Sequence, residues 1–285
     1  MIEGRVNKIL NTSFVDGPGN RAVVFLQGCN FNCLYCHNPY TINECIHCGV
    51  CVPECPAGAL IQENGKVIWI EENCTDCDTC ISVCPYHSSP KVELMSPEAV
   101  WAQIAPVKPF ISGVSVSGGE PALQPEFLLE FFKLVKEKSD LTTLIETNGY
   151  HSIAAMQPVL PFLDLVQVDL KAIDAEKHLD LTGKPLEPVL KAVRFYHQTG
   201  KLYSIQQVIV EGFTANAEQV KKLADFLAAI EPAIRLRLVR FRAHGTLTPA
   251  ADWDSPDDDL MNNLVSTAKS RGLINVSKSL CLIIA

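Results

Sequence analysis

Eleven of the twelve cysteines fall between Cys29 and Cys84, and Cys281 alone lies outside that window. A segment so dense in thiols must be organised by what thiols make, either disulfides or metal centres. The N-terminus carries Glu3, Arg5 and Lys8 with no apolar signal core behind them, so the expected compartment is the reducing cytoplasm and metal is favoured. With 285 residues, 47% of them apolar, the chain has ample material for a buried core and needs no disulfide scaffold. A net charge of −8 disfavours a nucleic-acid binder that works by phosphate neutralisation. No apolar stretch reaches the length of a bilayer span, so no membrane partner is expected; the apolar tail Leu280 to Ala285 is far too short.

The cysteines sort by spacing into three groups. Cys29, Cys33 and Cys36 form a set of three on a tight loop, which suits a cubane iron–sulfur cluster with one iron left open. Cys45, Cys48, Cys51 and Cys55 precede Pro56, and Cys74, Cys77, Cys80 and Cys84 precede Pro85. Both runs copy the bacterial ferredoxin pattern, in which the fourth cysteine of each run ligates the other cluster. The expected sets are therefore Cys45, Cys48, Cys51 and Cys84 for one cluster, and Cys74, Cys77, Cys80 and Cys55 for the other. Zinc is the competing reading, but zinc knuckles ordinarily supply two cysteines each, and each run here supplies four.

Asn64-Gly65, set between Ile61 and the run Val67 to Ile70, predicts a short hairpin joining the two runs. From Thr41 to Ser89 seven acidic residues face one lysine, a net of −6, so most of the excess charge sits on this segment. That field could steer a basic partner, or be the solvated face of a small iron–sulfur module.

The rest of the chain alternates strand and helix. Strands are expected at Ala22 to Gln27, Val114 to Ser117, Thr142 to Glu146, Leu165 to Leu170, Tyr203 to Val210 and Arg235 to Phe241. Helices are expected from Pro97 to about Ile104, from Pro125 to Lys138, and over Ile153 to Val159, Pro188 to Gln198, Ala217 to Ile230 and Asp257 to Ser270. Six strand–helix units predict an α/β fold with a parallel sheet wholly or partly closed as a barrel, and function on the loops after the strands. Four polar segments fall there: Cys29 to Cys36, Gly118-Gly119-Glu120-Pro121, Glu146 to Gly149, and Asp169-Leu170-Lys171. Strand alternation puts Asp169 and Lys171 on one face, either beside a ligand or as a structural ion pair.

This constellation resembles the radical S-adenosylmethionine enzymes, within them the glycyl-radical-enzyme activases, and among these the YjjW-like branch. The residues that carry the resemblance are Asp16-Gly17-Pro18-Gly19, the run Gly28 to Pro39 around Cys29, Cys33 and Cys36, Ser117 to Pro121, Thr147-Asn148-Gly149, and Asp169 to Lys171. It covers nearly the whole chain. It implies a partial (βα)6 barrel of the radical S-adenosylmethionine type, made of residues 1–40 and 90–285, with a bacterial-ferredoxin-like two-cluster [4Fe–4S] domain inserted at residues 41–89.

The resemblance also implies the chemistry. The open iron of the cluster on Cys29, Cys33 and Cys36 takes the amino and carboxylate end of S-adenosylmethionine, whose reductive cleavage yields a 5′-deoxyadenosyl radical that abstracts hydrogen from a glycine of a partner enzyme. Three [4Fe–4S] clusters, S-adenosylmethionine and a monovalent cation are the implied cofactors, with flavodoxin or ferredoxin as electron donor. Gly118 and Gly119 would let backbone approach the methionyl group and Glu120 would accept from its ammonium; as plain chemistry, Glu120 also suits the start of a helix. Tyr35 is placed against the adenine and His37 near the cofactor. Asp169, Leu170 and Lys171 are placed beside it, and Glu146 stands where a cation-binding aspartate is usual. Arg242 and Gln206 replace a histidine and an arginine of the pyruvate formate-lyase activase, so contacts there do not carry over, though His244 is close by. A radical enzyme for a small molecule and a ferredoxin-type electron carrier are the competing functions. The carrier leaves the three-cysteine set and the attached barrel unexplained.

Overall fold

Strand β2 (Arg21–Leu26) is buried along almost its full length, as a β-branched and aromatic run should be in the middle of a sheet. The computed structural model describes residues 2–279, so the Leu280 to Ala285 tail and Cys281 lie outside the described residues. The chain divides into two compact units, residues 1–30 with 38–141, and residues 31–37 with 142–285.

In the first unit β2 pairs in parallel with β6 (Gly113–Gly118), residue by residue from Arg21 opposite Gly113 to Leu26 opposite Gly118. On its other side it pairs antiparallel with β1 (Gly4–Ser13), which in turn pairs antiparallel with β5 (Glu93–Met95). The sequence reading missed both β1 and β5 and expected parallel strands only. Residues 14–20 link β1 to β2, too few for a crossover helix, so the pair must be antiparallel. Helix α2 (Pro97–Ile104) starts at Ser96, whose hydroxyl accepts from the Ala99 amide. Helix α3 (Pro125–Lys138) buries Phe127, Leu128, Phe131, Phe132 and Val135 on one face.

Between β2 and β5 runs the cysteine-rich segment. It contains the expected hairpin, β3 (Leu60–Glu63) and β4 (Lys66–Trp69), with Asn64 and Gly65 both at positive φ, and one turn of helix α1 (Thr79–Ser82).

The second unit holds parallel strands β7 (Thr142–Thr147), β8 (Leu165–Asp169), β9 (Leu202–Ile209), β10 (Leu236–Arg240) and β11 (Val276–Lys278), paired in that order. Its helices are α4 (Ile153–Met156), α5 (Ala175–Thr182), α6 (Glu187–Gln198), α7 (Ala217–Ala228) and α8 (Asp258–Ser270). Helix α4 stops short of the expected Val159 and continues as a 3₁₀ turn from Gln157, because Pro158 has no N–H to offer the next α-helical bond. Helix α5 and strand β11 were not foreseen.

Candidate functional site

In the first unit the chain ends of β2 and β6 lie side by side and both lead into polar loops. Cys29 follows β2, and its amide donates to the Ile42 carbonyl at 3.0 Å. After β6 the Gly119 amide donates to Leu26 O at 2.9 Å and the Glu120 amide to Gly28 O at 2.8 Å. Gly118 sits at φ +111, where a Cβ would stand 2.4 Å from Leu26 O; a Cβ on Gly119 would stand 2.2 Å from Gly28 O. Both glycines are therefore demanded by the close approach of the protein's own backbone. Glu120 is fully buried, and its carboxylate caps the 3₁₀ turn that follows by accepting from the Ala122 amide at 2.9 Å.

At the opposite end of β2, fully buried Arg21 donates to Ser115 Oγ at 2.7 Å, Val114 O at 2.9 Å and Pro18 O at 3.4 Å, while Ser115 Oγ donates to Asp16 O at 2.6 Å. This anchors the Asp16 to Gly19 loop. Arg21 and Ser115 went unnoticed in the sequence because a strand position alone does not announce a buried polar pair.

The second unit carries Cys33, Cys36, Tyr35, His37, Glu146, Asp169 and Lys171. The amides of Asn32 and Leu34 donate to Thr182 O at 3.1 Å and Leu181 O at 3.0 Å, so the unforeseen α5 fixes this stretch of the cysteine loop. The Tyr35 ring is buried among Ala172, Leu181, Val210, Phe241 and Ala250, and its hydroxyl finds no partner there. Burial pushes that phenol upward despite the opposing Lys171 charge. His37 Nε2 pairs with Arg242 O at 2.7 Å, and burial holds this imidazole below its ordinary value. Gly245 (φ +80) packs so closely on His37 O that a Cβ would stand 2.7 Å from it.

Lys171 donates to Asp169 at 3.0 Å, as the alternation of the two around buried Leu170 predicts. Burial works against the Lys171 charge, yet Asp169, Tyr35 and Cys33 hold the amine well above its ordinary value. Glu146 lies within β7 instead of the loop after it, and accepts from Gln167 Nε2 at 2.6 Å; Gln167 in turn accepts from Ser204 at 3.1 Å. Gln167 shares the Asp169 face of β8, and Gln206 sits opposite Asp169 in register. Gln167 and Ser204 extend the polar line beyond what the motifs indicated.

The two ferredoxin-like runs fold as copies of one another. None of the eleven described cysteines forms a disulfide. Cys45, Cys48, Cys51 and Cys84 line one pocket together with Cys80, and Cys55, Cys74, Cys77 and Cys80 line a second, so the fourth cysteine of each run lies beside the first three of the other. Left-handed residues recur at matching places: His47, Gly49 and Gly58 in the first copy answer to Asp76, Asp78 and His87 in the second, each 29 positions on. Backbone amides point at sulfur, His47 N to Cys45 Sγ at 3.4 Å and Ala59 N to Cys55 Sγ at 3.3 Å. Four thiols around one pocket with N–H···S bonds fit the donor set of a cubane cluster. Among the described residues no set of three or more Cys, His, Asp or Glu is gathered tightly enough for a single metal ion.

Residues 23–227 match the Radical SAM superfamily, and the chain belongs to that superfamily. Membership implies a [4Fe–4S] cluster and S-adenosylmethionine. The chain is 29% identical to the indoleacetate decarboxylase activating enzyme of Tractidigestivibacter scatoligenes, covering 95% of this chain and 96% of that one. It is 31% identical to the pyruvate formate-lyase-activating enzyme of Clostridium pasteurianum, covering 86% and 85%. Among solved structures, a domain of a pyruvate-formate lyase-activating enzyme from Bacteroides vulgatus ATCC 8482 superposes with a TM-score of 0.52 at 23% identity, covering 59% of this chain and 99% of that one. Streptococcus suis SuiB bound to its precursor peptide SuiA gives 0.59 at 14% identity, over 91% and 48%. The last two show the fold.

Proposed function

We propose that this protein activates a partner glycyl radical enzyme, and that the observation carrying the reading is its near end-to-end likeness to activating enzymes on both counts of coverage. Cys29, Cys33 and Cys36 would hold the catalytic [4Fe–4S] cluster. When bound and reduced, that cluster supplies the electron that cleaves S-adenosylmethionine to methionine and a 5′-deoxyadenosyl radical, the species that takes a hydrogen atom from the partner's glycine.

The chain's own residues bind and orient. Gly118 and Gly119 hold the β6 end flat against β2, which keeps the Glu120 backbone fixed for an ammonium group. Asp169 and Lys171 offer an anion and a cation from one strand end, with Leu170 packed behind them, for the cofactor or for a monovalent cation in company with Glu146. Tyr35 and His37 stiffen the cysteine loop from within, whatever contact their edges make with the adenosyl group.

Residues 41–89 form, in this reading, a two-cluster ferredoxin-type insert that relays electrons from a flavodoxin or ferredoxin of the cytoplasm. The paired cysteine pockets and the 29-position repeat of the backbone support it. The test is to incubate anaerobically reconstituted protein with S-adenosylmethionine, a reductant and candidate glycyl radical enzymes, and to record electron paramagnetic resonance spectra. A glycyl doublet on one candidate is expected. Release of 5′-deoxyadenosine with a small molecule, and no doublet on any candidate, would overturn the reading in favour of a small-molecule enzyme.

A further inference from the structure

The two cysteine pockets share a backbone pattern and the Cys80 side chain but differ in the rest of their linings. The Cys45, Cys48, Cys51 and Cys84 pocket is walled by Ile46, Val50, Val67, Pro85, Tyr86 and Pro90 and contains no charged side chain. The Cys55, Cys74, Cys77 and Cys80 pocket is walled on one side by Lys91 and Asp78. The Lys91 side chain is only 12% exposed, and its amine donates to Asp78 Oδ1 at 2.8 Å and to Asp76 Oδ1 at 3.2 Å. These two aspartates are the left-handed residues on either side of Cys77, at φ 53 and φ 56. The first copy has no such clamp: glycine fills the Gly49 position at no steric cost, and the His47 carbonyl is held by the Gln62 side chain at 3.2 Å.

Lys91 also lines an adjoining cleft of about 520 Å³, among Cys74, Asp76, Asp78, Glu71 and Glu93. Lys91 is thus shared by the linings of the cleft and of the Cys55, Cys74, Cys77 and Cys80 pocket, and among the described residues it is the one cation lining that pocket. The carboxylates of Asp76 and Asp78 are 86% and 64% exposed, so water screens their charge far more than it screens the sheltered amine. The amine therefore acts on the pocket with less screening than either carboxylate.

We propose that Lys91 is a positioning and tuning residue for the iron–sulfur group held by Cys55, Cys74, Cys77 and Cys80, clamping the two left-handed aspartates around Cys77 and stabilising that group in its reduced form. The inference rests on the two-cluster reading of residues 41–89. The reduction in question adds one electron from a low-potential donor and moves no atoms; each added negative charge is favoured by a nearby cation, and the charges and hydrogen bonds around a cluster set its potential. The pocket with Lys91 should then be the easier of the two to reduce.

The experiment uses the full chain, reconstituted anaerobically, as wild type, Lys91→Met and Lys91→Arg. Dithionite titrations are followed by electron paramagnetic resonance, and iron is counted on each sample. In Lys91→Met the one-electron reduction equilibrium of one cluster should fall about tenfold, which is 59 mV, while the other clusters hold their midpoints. Lys91→Arg keeps the charge and should keep the midpoint. If Lys91→Met instead sheds about four irons while Lys91→Arg keeps them, the clamp is supported. Unchanged midpoints and iron in Lys91→Met, or equal losses in both variants, would overturn the proposal. Failure of the reading beneath it would show separately, as a Cys77→Ala variant that holds as much iron as the wild type.

Discussion

The runs 45–55 and 74–84 have one backbone and two chemistries. Left-handed turns fall at equivalent positions in both, yet the first copy meets them with His47, Gly49 and Gly58, and the second with Asp76, Asp78 and His87. The first pocket has no charged side chain, with Ile46, Val50 and Tyr86 all exposed beside the thiols; the second faces a charged cleft and owns the Lys91 clamp. Ligand spacing fixes what a pocket binds, whereas the residues between the ligands fix how strongly it holds an electron. A repeat can therefore keep its coordination and diverge in function.

The strongest way to break this comparison is to remove one ligand from each copy. Cys48→Ala and Cys77→Ala should each lose about four irons per chain and leave the remaining clusters in place, as read by iron and sulfide analysis. If one substitution empties both pockets, the two are not independent sites.

A smaller effect separates the ways the two copies tolerate left-handed backbone. Gly49→Ala forces a side chain into φ +81 and brings its Cβ to 2.5 Å from Gln62 Oε1, so it should cost roughly 1–2 kcal/mol. Asp78→Gly relieves the same conformation but gives up a Lys91 partner, and should change stability less. On thermal denaturation a loss of about 1 kcal/mol lowers the midpoint by roughly 2–4 °C in a chain of this size. Equal losses in the two variants would mean that the glycine–aspartate difference carries no conformational meaning.

The least expected effect is a pH control outside both runs. His178 is fully buried with Nδ1 on Lys184 O at 2.8 Å, and His151 is held by Tyr196; burial lowers both below the ordinary histidine value. The unfolded chain then binds protons that the folded chain resists. Their contribution is intact above about pH 6.5 and is lost as pH falls below it. Thermal midpoints should therefore rise between about pH 5 and 7, and His178→Gln should flatten that rise. An unchanged slope would relocate the proton uptake.

Legibility in the sequence followed the strength of local signals. Helix α3 was readable to the residue because Pro125 opens it and an apolar stripe runs through it, and the grouping of the cysteines was readable from their spacing alone. Strand β1 escaped because Asn7, Lys8 and Asn11 interrupt its alternation, its register being set by pairing with β2 instead. Helix α5 hid behind the Asp169 to Lys171 motif, although Asp174 caps it and Gly183 ends it. Arg21, Gln167, Ser204 and Lys91 act through partners distant in sequence, and no spacing rule reaches those. Lys91 in particular stood just beyond the segment read as the insert.

The central claim is that the three-cysteine loop does the chemistry while the two runs serve it. Its most direct test replaces Cys29, Cys33 and Cys36 together by alanine, then measures iron content and 5′-deoxyadenosine release from S-adenosylmethionine under dithionite. Iron should fall from about twelve to about eight atoms per chain with cleavage abolished. Cleavage that survives, or wild-type iron near four, would contradict the account.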